Sequence, residues 1–232
     1  MTTATPKIAQ IADSTSLPKW QPATWEDYLG YRDDPTLERV RLFFNQNYLF
    51  VDIASEGINH ASFNNLFPML FAAWFTHFSD QSARELGGCL IEKPNQRAAC
   101  PDIILYIGEG LPQWQSGESG YINLNQLRVP DLVGEVADTT LPTDLDEKKK
   151  LYADLGVPEY WVIDVRGKRV FAFRLQSDGT YKLCTESVVL KGLPISLLDQ
   201  TLERLSEGTN ISAASWFSQA IANLDRGSNN PG

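Results

Sequence analysis

Arg128-Val-Pro-Asp-Leu-Val-Gly-Glu135-Val-Ala137, then Thr143-Asp-Leu-Asp-Glu-Lys148-Lys-Lys-Leu-Tyr152, then Gly156-Val-Pro-Glu-Tyr-Trp161-Val-Ile-Asp164 are the three runs whose reading decides the fold. Residues 132–136 are β-rich and almost wholly apolar, as a strand covered on both faces is. Thr143 to Asp146 has the pattern of a capping box, which opens a helix to about Leu155, with Gly156 as its stop and Pro158 beyond it. Residues 160–165 and 169–175 flank Arg166-Gly167-Lys168 as a hairpin, and 181–183 adds a strand after the Asp178-Gly179 turn. Strand, helix, strand in that order favours an α/β or α+β fold with a mixed sheet.

Outward from this centre, residues 102–107 form another apolar strand, which like the first follows a Pro-Asp pair. Residues 36–53 place apolar residues on either side of Asn45-Gln46-Asn47, the pattern of two strands and a polar turn. Phe63, Leu66, Phe67, Leu70, Phe71, Trp74, Phe75 and Phe78 recur at three- and four-residue steps, which predicts a long buried helix. Pro68 falls inside that pattern, so the helix is expected to start nearer Asn65 or to kink. Helical stretches near 197–205 and 213–224 close the chain. Residues 1–22 and 227–232 read as loose ends around one domain of residues 23–226.

The 232 residues are 43% hydrophobic and 21% charged, globular proportions that exclude a wholly disordered or fibrous chain. Twenty basic residues against 29 acidic ones give a net charge of −9, which argues against a broad surface for nucleic acid or anionic lipid. Cys89, Cys100 and Cys184 are odd in number and lack the spacing of a zinc site, so a reducing compartment fits. The longest strongly apolar stretch, 66–75, is too short for a membrane span, and no secretory pattern opens the sequence. A cytoplasmic protein with no membrane attachment is expected.

Two carboxylates interrupt the apolar strands. Asp102 begins one and Glu135 lies in the middle of the other, where a buried acid is costly without a partner or a metal. If the strands are neighbours, the two acids converge. On the following helix Lys148 is three residues after Leu145 and four before Tyr152, so it shares the face turned to the sheet. Lys150 points away and Lys149 is intermediate. Two acids that hold a divalent metal, and a lysine that orients water and offsets phosphoryl charge, make a phosphodiester-cutting set. The competing structural reading has Asp102 bracing a turn, Glu135 paired internally and the lysines on a solvated helix face.

The motifs at 97–102, 128–136, 144–153 and 156–164 resemble the Uma-two type family of putative restriction endonucleases, assigned to the PD-(D/E)XK nuclease superfamily. The resemblance covers about residues 36–175. It implies a mixed sheet flanked by helices, a restriction-endonuclease-like core, with metal held by acids near the middle of the sheet. By position it makes Asp102 and Glu135 the metal ligands, with Mg2+ or Mn2+ as the cofactor. The superfamily lysine two residues after the second acid is replaced by Ala137, and the family's helix-borne lysine corresponds to Lys148. Glu38 matches an acid in the family's usual Tyr-Glu-Leu-Ile-Asp-Gly segment, which departs from pattern here, and so enters as an auxiliary acid. His60 occupies the place of a family histidine and is read as structural, as is Asp131; Tyr160 and Trp161 are read as core.

The expectation is a Mg2+- or Mn2+-dependent endonuclease acting on DNA, with Asp102, Glu135, Lys148 and Glu38 as its site. Arg97, Arg128, Lys148 to Lys150, Arg166, Lys168 and Arg169 would form a local basic rim, and a homodimer would build a composite cleft. The alternative is a nuclease fold that binds or scaffolds without turnover.

Overall fold

The computed structural model describes residues 19–228 except 38, 39, 54–56, 79, 80, 115, 118 and 119. In chain order it runs β1 (Gln21–Pro22), α1 (Trp25–Arg32), β2 (Arg41–Asn45), β3 (Tyr48–Asp52), α2 (Ile58–Phe78), β4 (Ala83–Glu85), β5 (Ile91–Lys93), β6 (Arg97–Ala99) and β7 (Ile103–Ile107). It continues with β8 (Ile122–Asn123), β9 (Leu132–Ala137), α3 (Leu141–Leu145), α4 (Glu147–Leu155), β10 (Glu159–Asp164), β11 (Arg169–Leu175), β12 (Tyr181–Cys184), α5 (Ile195–Glu207) and α6 (Asn210–Ser228). The strands form two sheets, β12-β11-β10-β9-β7-β4 and β1-β3-β2-β6-β5-β8. The fold is mixed α/β, as the sequence implies. Among the described residues no helix is long and apolar enough to cross a membrane.

The period of two along β9 sorts its side chains between two cores. Leu132 and Val136 join Phe67, Leu70, Trp74, Leu198 and Phe217 of α2, α5 and α6 on one face. Val133 and Ala137 join Ile104, Tyr152, Tyr160 and Val162 on the other, together with Phe43 and Phe50 from the second sheet. The face that carries Glu135 is therefore sandwiched between the first sheet, α4 and the β2–β3 hairpin. The hairpin's opposite face, Leu42, Phe44 and Leu49, is closed by Tyr28 of α1. A two-residue turn links β2 and β3: Gln46 and Asn47 both adopt positive φ, 50° and 62°, as a turn matched to strand twist requires.

Three local expectations differ from the structure. Helix α2 starts at Ile58 and runs through Pro68, because Leu66, Phe67, Leu70 and Phe71 around it are buried and hold the backbone helical. The helix expected from a capping box at Thr143 is two helices. Thr143 already lies inside α3, and Asp146, ahead of α4, makes no side-chain cap bond. Asp144, the second residue of the supposed box, instead turns inward and accepts from the Thr140 hydroxyl at 2.6 Å. The stop at Gly156 is as expected, with φ 79° in the left-handed region. Finally, Gln21 and Pro22, the end of the expected loose arm, pair with Leu49 and Tyr48 as an edge strand. Residues 1–18 of that arm, and 229–232 of the expected tail, lie outside the described residues.

Candidate active site

Strands β7 and β9 are antiparallel neighbours with Ile103 opposite Gly134, which sets Asp102 beside Glu135 on the inward face. Asp102 also ends the ladder: its Oδ2 accepts from the Val136 N–H at 2.8 Å. Both acids are nearly sealed from solvent, 3% and 1% exposed. They converge, as adjacent strands require.

Lys148 reaches them from α4. Its Nζ is 2.9 Å from Glu135 Oε2 and 2.9 Å from Asp144 Oδ1, and it sits 4.1 Å from the centre of the Phe43 ring. It is 1% exposed, whereas Lys150 faces solvent and pairs with Asp146 at 2.6 Å. Lys148 is thus turned to the sheet and Lys150 away from it, in keeping with helical spacing. Tyr152, one turn further on, donates its hydroxyl to Glu135 Oε1, and the Tyr160 hydroxyl donates to the Asp144 carbonyl at 2.9 Å. From the hairpin, Arg41 donates to Asp102 Oδ1 through Nη1 and to Asp52 Oδ2 through Nη2 at 2.6 Å. His60 Nε2 lies 3.5 Å from Asp102 Oδ2.

These neighbours set the charge states. Burial pushes the Glu135 carboxyl up, and the nearby Asp102 and Asp144 charges add to it; the Lys148 ammonium only partly offsets them, which leaves the group at about 7. Burial also works against the Asp102 carboxylate, but His60, Arg41 and Lys148 outweigh it and hold the group below the usual range. For Lys148 the cost of burial is overcome by Glu135 and Asp144, so the ammonium stays charged and cannot serve as a base near neutral pH. Between the ordinary glutamate value of 4.5 and about 7 the folded protein binds a proton at Glu135 that the unfolded chain does not. The contribution of this group to stability therefore falls as pH rises through that window and is constant above it. Asp102 acts oppositely: its contribution is present above the ordinary value of 3.8 and is lost as pH falls through its lowered value. In melting curves recorded from pH 4 to 8, Glu135→Gln should flatten the slope between about 4.5 and about 7; an unchanged slope would refute the raised carboxyl.

The loop before β5 sets the position of Asp102. A Cβ on Gly87 would overlap the Asp102 carbonyl oxygen, a backbone atom that cannot yield without moving the start of β7. Gly87→Ala should cost about 1–3 kcal/mol of stability, the usual penalty of overpacking. It should also weaken any activity that depends on Asp102; a melting curve superposable on wild type would contradict the close approach.

The remaining sequence candidates are dispersed. Glu38 lies outside the described residues. Lys148 is buried and so cannot belong to a basic rim. Arg97, Arg128 and Arg166 are already paired with Asp154, Asp131 and Asp138 at 3.5, 2.8 and 3.2 Å. Asp131 is structural: it accepts from the Ile107 N–H at 2.7 Å and from Arg128. Trp161 packs on Phe67 and Phe71 in the helical core. Arg41, Asp52, Asp144 and the Tyr152 hydroxyl do not stand out in the sequence as site groups. The first two flank the apolar residues of the hairpin, and that is the only signal they carry.

Among the described residues no three histidine, cysteine or acidic side chains converge as a ready metal-binding group. Asp102 and Glu135 are oxygen donors of the kind a hard divalent cation takes. Four carboxylates (Asp52, Asp102, Glu135, Asp144) meet two cations (Arg41, Lys148), a surplus of two negative charges when all four acids are ionised and His60 is set aside. Magnesium needs only one or two protein carboxylates and keeps water in its other positions.

A mixed sheet with α2, α5 and α6 on one face and α4 and the β2–β3 hairpin on the other is a restriction-endonuclease-like core flanked by helices. The chain belongs to the Uma2 family of putative restriction endonucleases, whose family model matches residues 25–207. Among solved structures it is similar to a putative nuclease belonging to DUF820 from Anabaena variabilis ATCC 29413, at 16% identity and a TM-score of 0.50, covering 84% of this chain and 99% of that one. That likeness concerns the fold. No curated protein matches the sequence.

Proposed function

We propose that this protein is a metal-dependent endonuclease that hydrolyses DNA phosphodiester bonds. The observation that carries the reading is the meeting of Asp102 and Glu135 across β7 and β9 with the Lys148 ammonium on Glu135. Asp102 and Glu135 would hold Mg2+ or Mn2+, which when bound supplies Lewis-acid chemistry at a phosphoryl oxygen. Lys148 donates one of its three N–H groups to Glu135 and pairs with Asp144 as an ion contact at 2.9 Å, which leaves donors to orient water or a phosphate oxygen. Fixed in its charged state, it offsets negative charge that develops on the phosphoryl group and positions the water rather than deprotonating it. The Tyr152 hydroxyl holds the Glu135 carboxylate in a fixed orientation. Glu38 is assigned an auxiliary role by its place in the family pattern alone. The reading extends to a cytoplasmic protein that meets DNA through a local basic surface, with a homodimer building a shared cleft.

The closure of the site favours a second reading, a binding protein of nuclease fold without turnover. All four oxygens of Asp102 and Glu135 already accept from Arg41, Val136, Lys148 and Tyr152. Incubation of plasmid and single-stranded DNA at low salt with Mg2+, Mn2+ or a chelator separates the two. Metal-dependent nicking is expected; intact DNA under every condition, with a protein that melts cooperatively, would reject turnover in favour of binding.

A further inference from the structure

Each of the paired acids already holds a cation, and each cation also holds a flanking acid. Arg41 spans Asp102 and Asp52, from the start of β2 to the end of β3. Lys148 spans Glu135 and Asp144, from α4 across to β9 and back to α3. Four carboxylates this deeply buried could not stay ionised without counter-ions, since an uncompensated buried charge is costly enough to neutralise itself.

Resting on the metal-dependent reading above, we infer that Arg41 and Lys148 stand in the divalent cation's place in the resting site, and that Asp52 and Asp144 receive them when the cation binds. Metal loading is then an exchange of partners rather than an addition to an open site. The charges support this. With all four acids ionised and His60 set aside, the cluster carries a surplus of two negative charges; with a divalent ion on Asp102 and Glu135, Arg41 on Asp52 and Lys148 on Asp144, four positive charges meet those four negative ones. Arg41 is the side chain able to make the larger movement, because it is 23% exposed at the end of its strand while Lys148 is 1% exposed. Once off Asp102 and still tethered to Asp52, its guanidinium is at the edge of the site, where it can meet a phosphate oxygen in the two-pronged manner that arginine favours. Asp52 and Asp144 are positioning residues in this scheme and touch neither metal nor substrate.

The test is Mn2+ affinity, read from the electron paramagnetic resonance of the free aquo ion, on the metal-stripped full-length protein without DNA. Arg41→Gln removes the competing cation and should tighten Mn2+ binding about tenfold or more, a nearby positive charge being the largest local obstacle to another cation. Asp52→Asn takes away the carboxylate that receives Arg41 and should weaken binding. That weakening should be about threefold or more greater in the wild-type background than in Arg41→Gln, because the acid acts through the arginine. A simple loss of negative charge would weaken binding by the same factor in both. Equal factors, or weaker binding in Arg41→Gln, overturn the exchange. Should Arg41→Gln fail to melt cooperatively, the same two-background comparison is made with Arg41→Met, and unchanged affinity in folded Asp52→Asn overturns the proposal by itself. Absence of Mn2+ binding in wild type and every variant would defeat the metal-dependent reading itself, whereas binding indifferent to Arg41 and Asp52 defeats only the exchange.

Discussion

Glu135→Gln is expected to lower metal-dependent cleavage of plasmid DNA by about a hundred- to a thousandfold, the scale on which loss of one charged group from a phosphoryl-transfer site acts. Glutamine fills the same volume and keeps an acceptor for the Tyr152 hydroxyl, so the packing around Phe43 and Val162 has no reason to change. Its amide cannot supply a carboxylate to a metal, and it lowers the buried surplus of negative charge from two to one. Lys148 retains Asp144 at 2.9 Å. With its oxygen on Tyr152 the amide NH2 faces the Lys148 ammonium, so the variant loses one buried ion pair as it sheds one surplus charge; it should still melt cooperatively at pH 8, which separates loss of chemistry from loss of fold. Initial nicking rates with Mg2+ and Mn2+ measure it. A variant that cuts at the wild-type rate would remove Glu135 from the site.

Lys148→Met should fail in both respects. Methionine approaches the length of the lysine stem and fills its place beside Phe43, so the damage does not come from a large cavity. The variant loses the ammonium that contacts both Glu135 and Asp144, two acids 1% and 0% exposed. Breaking a buried ion pair from one side costs about 3–5 kcal/mol, and cleavage should vanish with it. Denaturant titration would show the midpoint falling. Adding Glu135→Gln and Asp144→Asn to Lys148→Met should restore most of the lost stability while leaving the protein inactive, because the penalty lies in the stranded charges rather than in the missing lysine. A triple variant no more stable than Lys148→Met alone would show that the lysine stem, not its charge, holds α4 in place.

The parts of this site legible in the sequence are those governed by short-range periodicity. Parity along 132–136 puts Glu135 on the face of Val133, and helical spacing separates Lys148 from Lys149 and Lys150. The central strands, the hairpin around Gln46 and Asn47, and the Gly156 stop also follow from local rules. Arg41 and Asp52 do not emerge, because their role depends on how one sheet docks on the other; the Arg41–Asp102 contact spans 61 residues. Nothing in the residues near Arg41 distinguishes it from an exposed strand arginine. Asp144 is hidden for a related reason: an acid that follows a threonine suits a helix cap, and only the buried lysine one turn on recruits it inward. Strands β1, β5, β6 and β8, of two or three residues each, are too short to show a period of two. Glu38 lies outside the described residues, so its place rests on the family pattern.

The cluster draws on β2, β3, β7, β9, α3 and α4, whose contributing residues run from Arg41 to Tyr152. Its contacts are therefore late to form, since closing long loops must precede the rewards of pairing. A chain emerging from the ribosome brings out Arg41 and Asp52 first, then the two acids, and completes the set only with α4. Until then it holds scattered carboxylates without the lysine. Truncation anywhere before residue 152 would therefore yield a product unable to assemble the cluster.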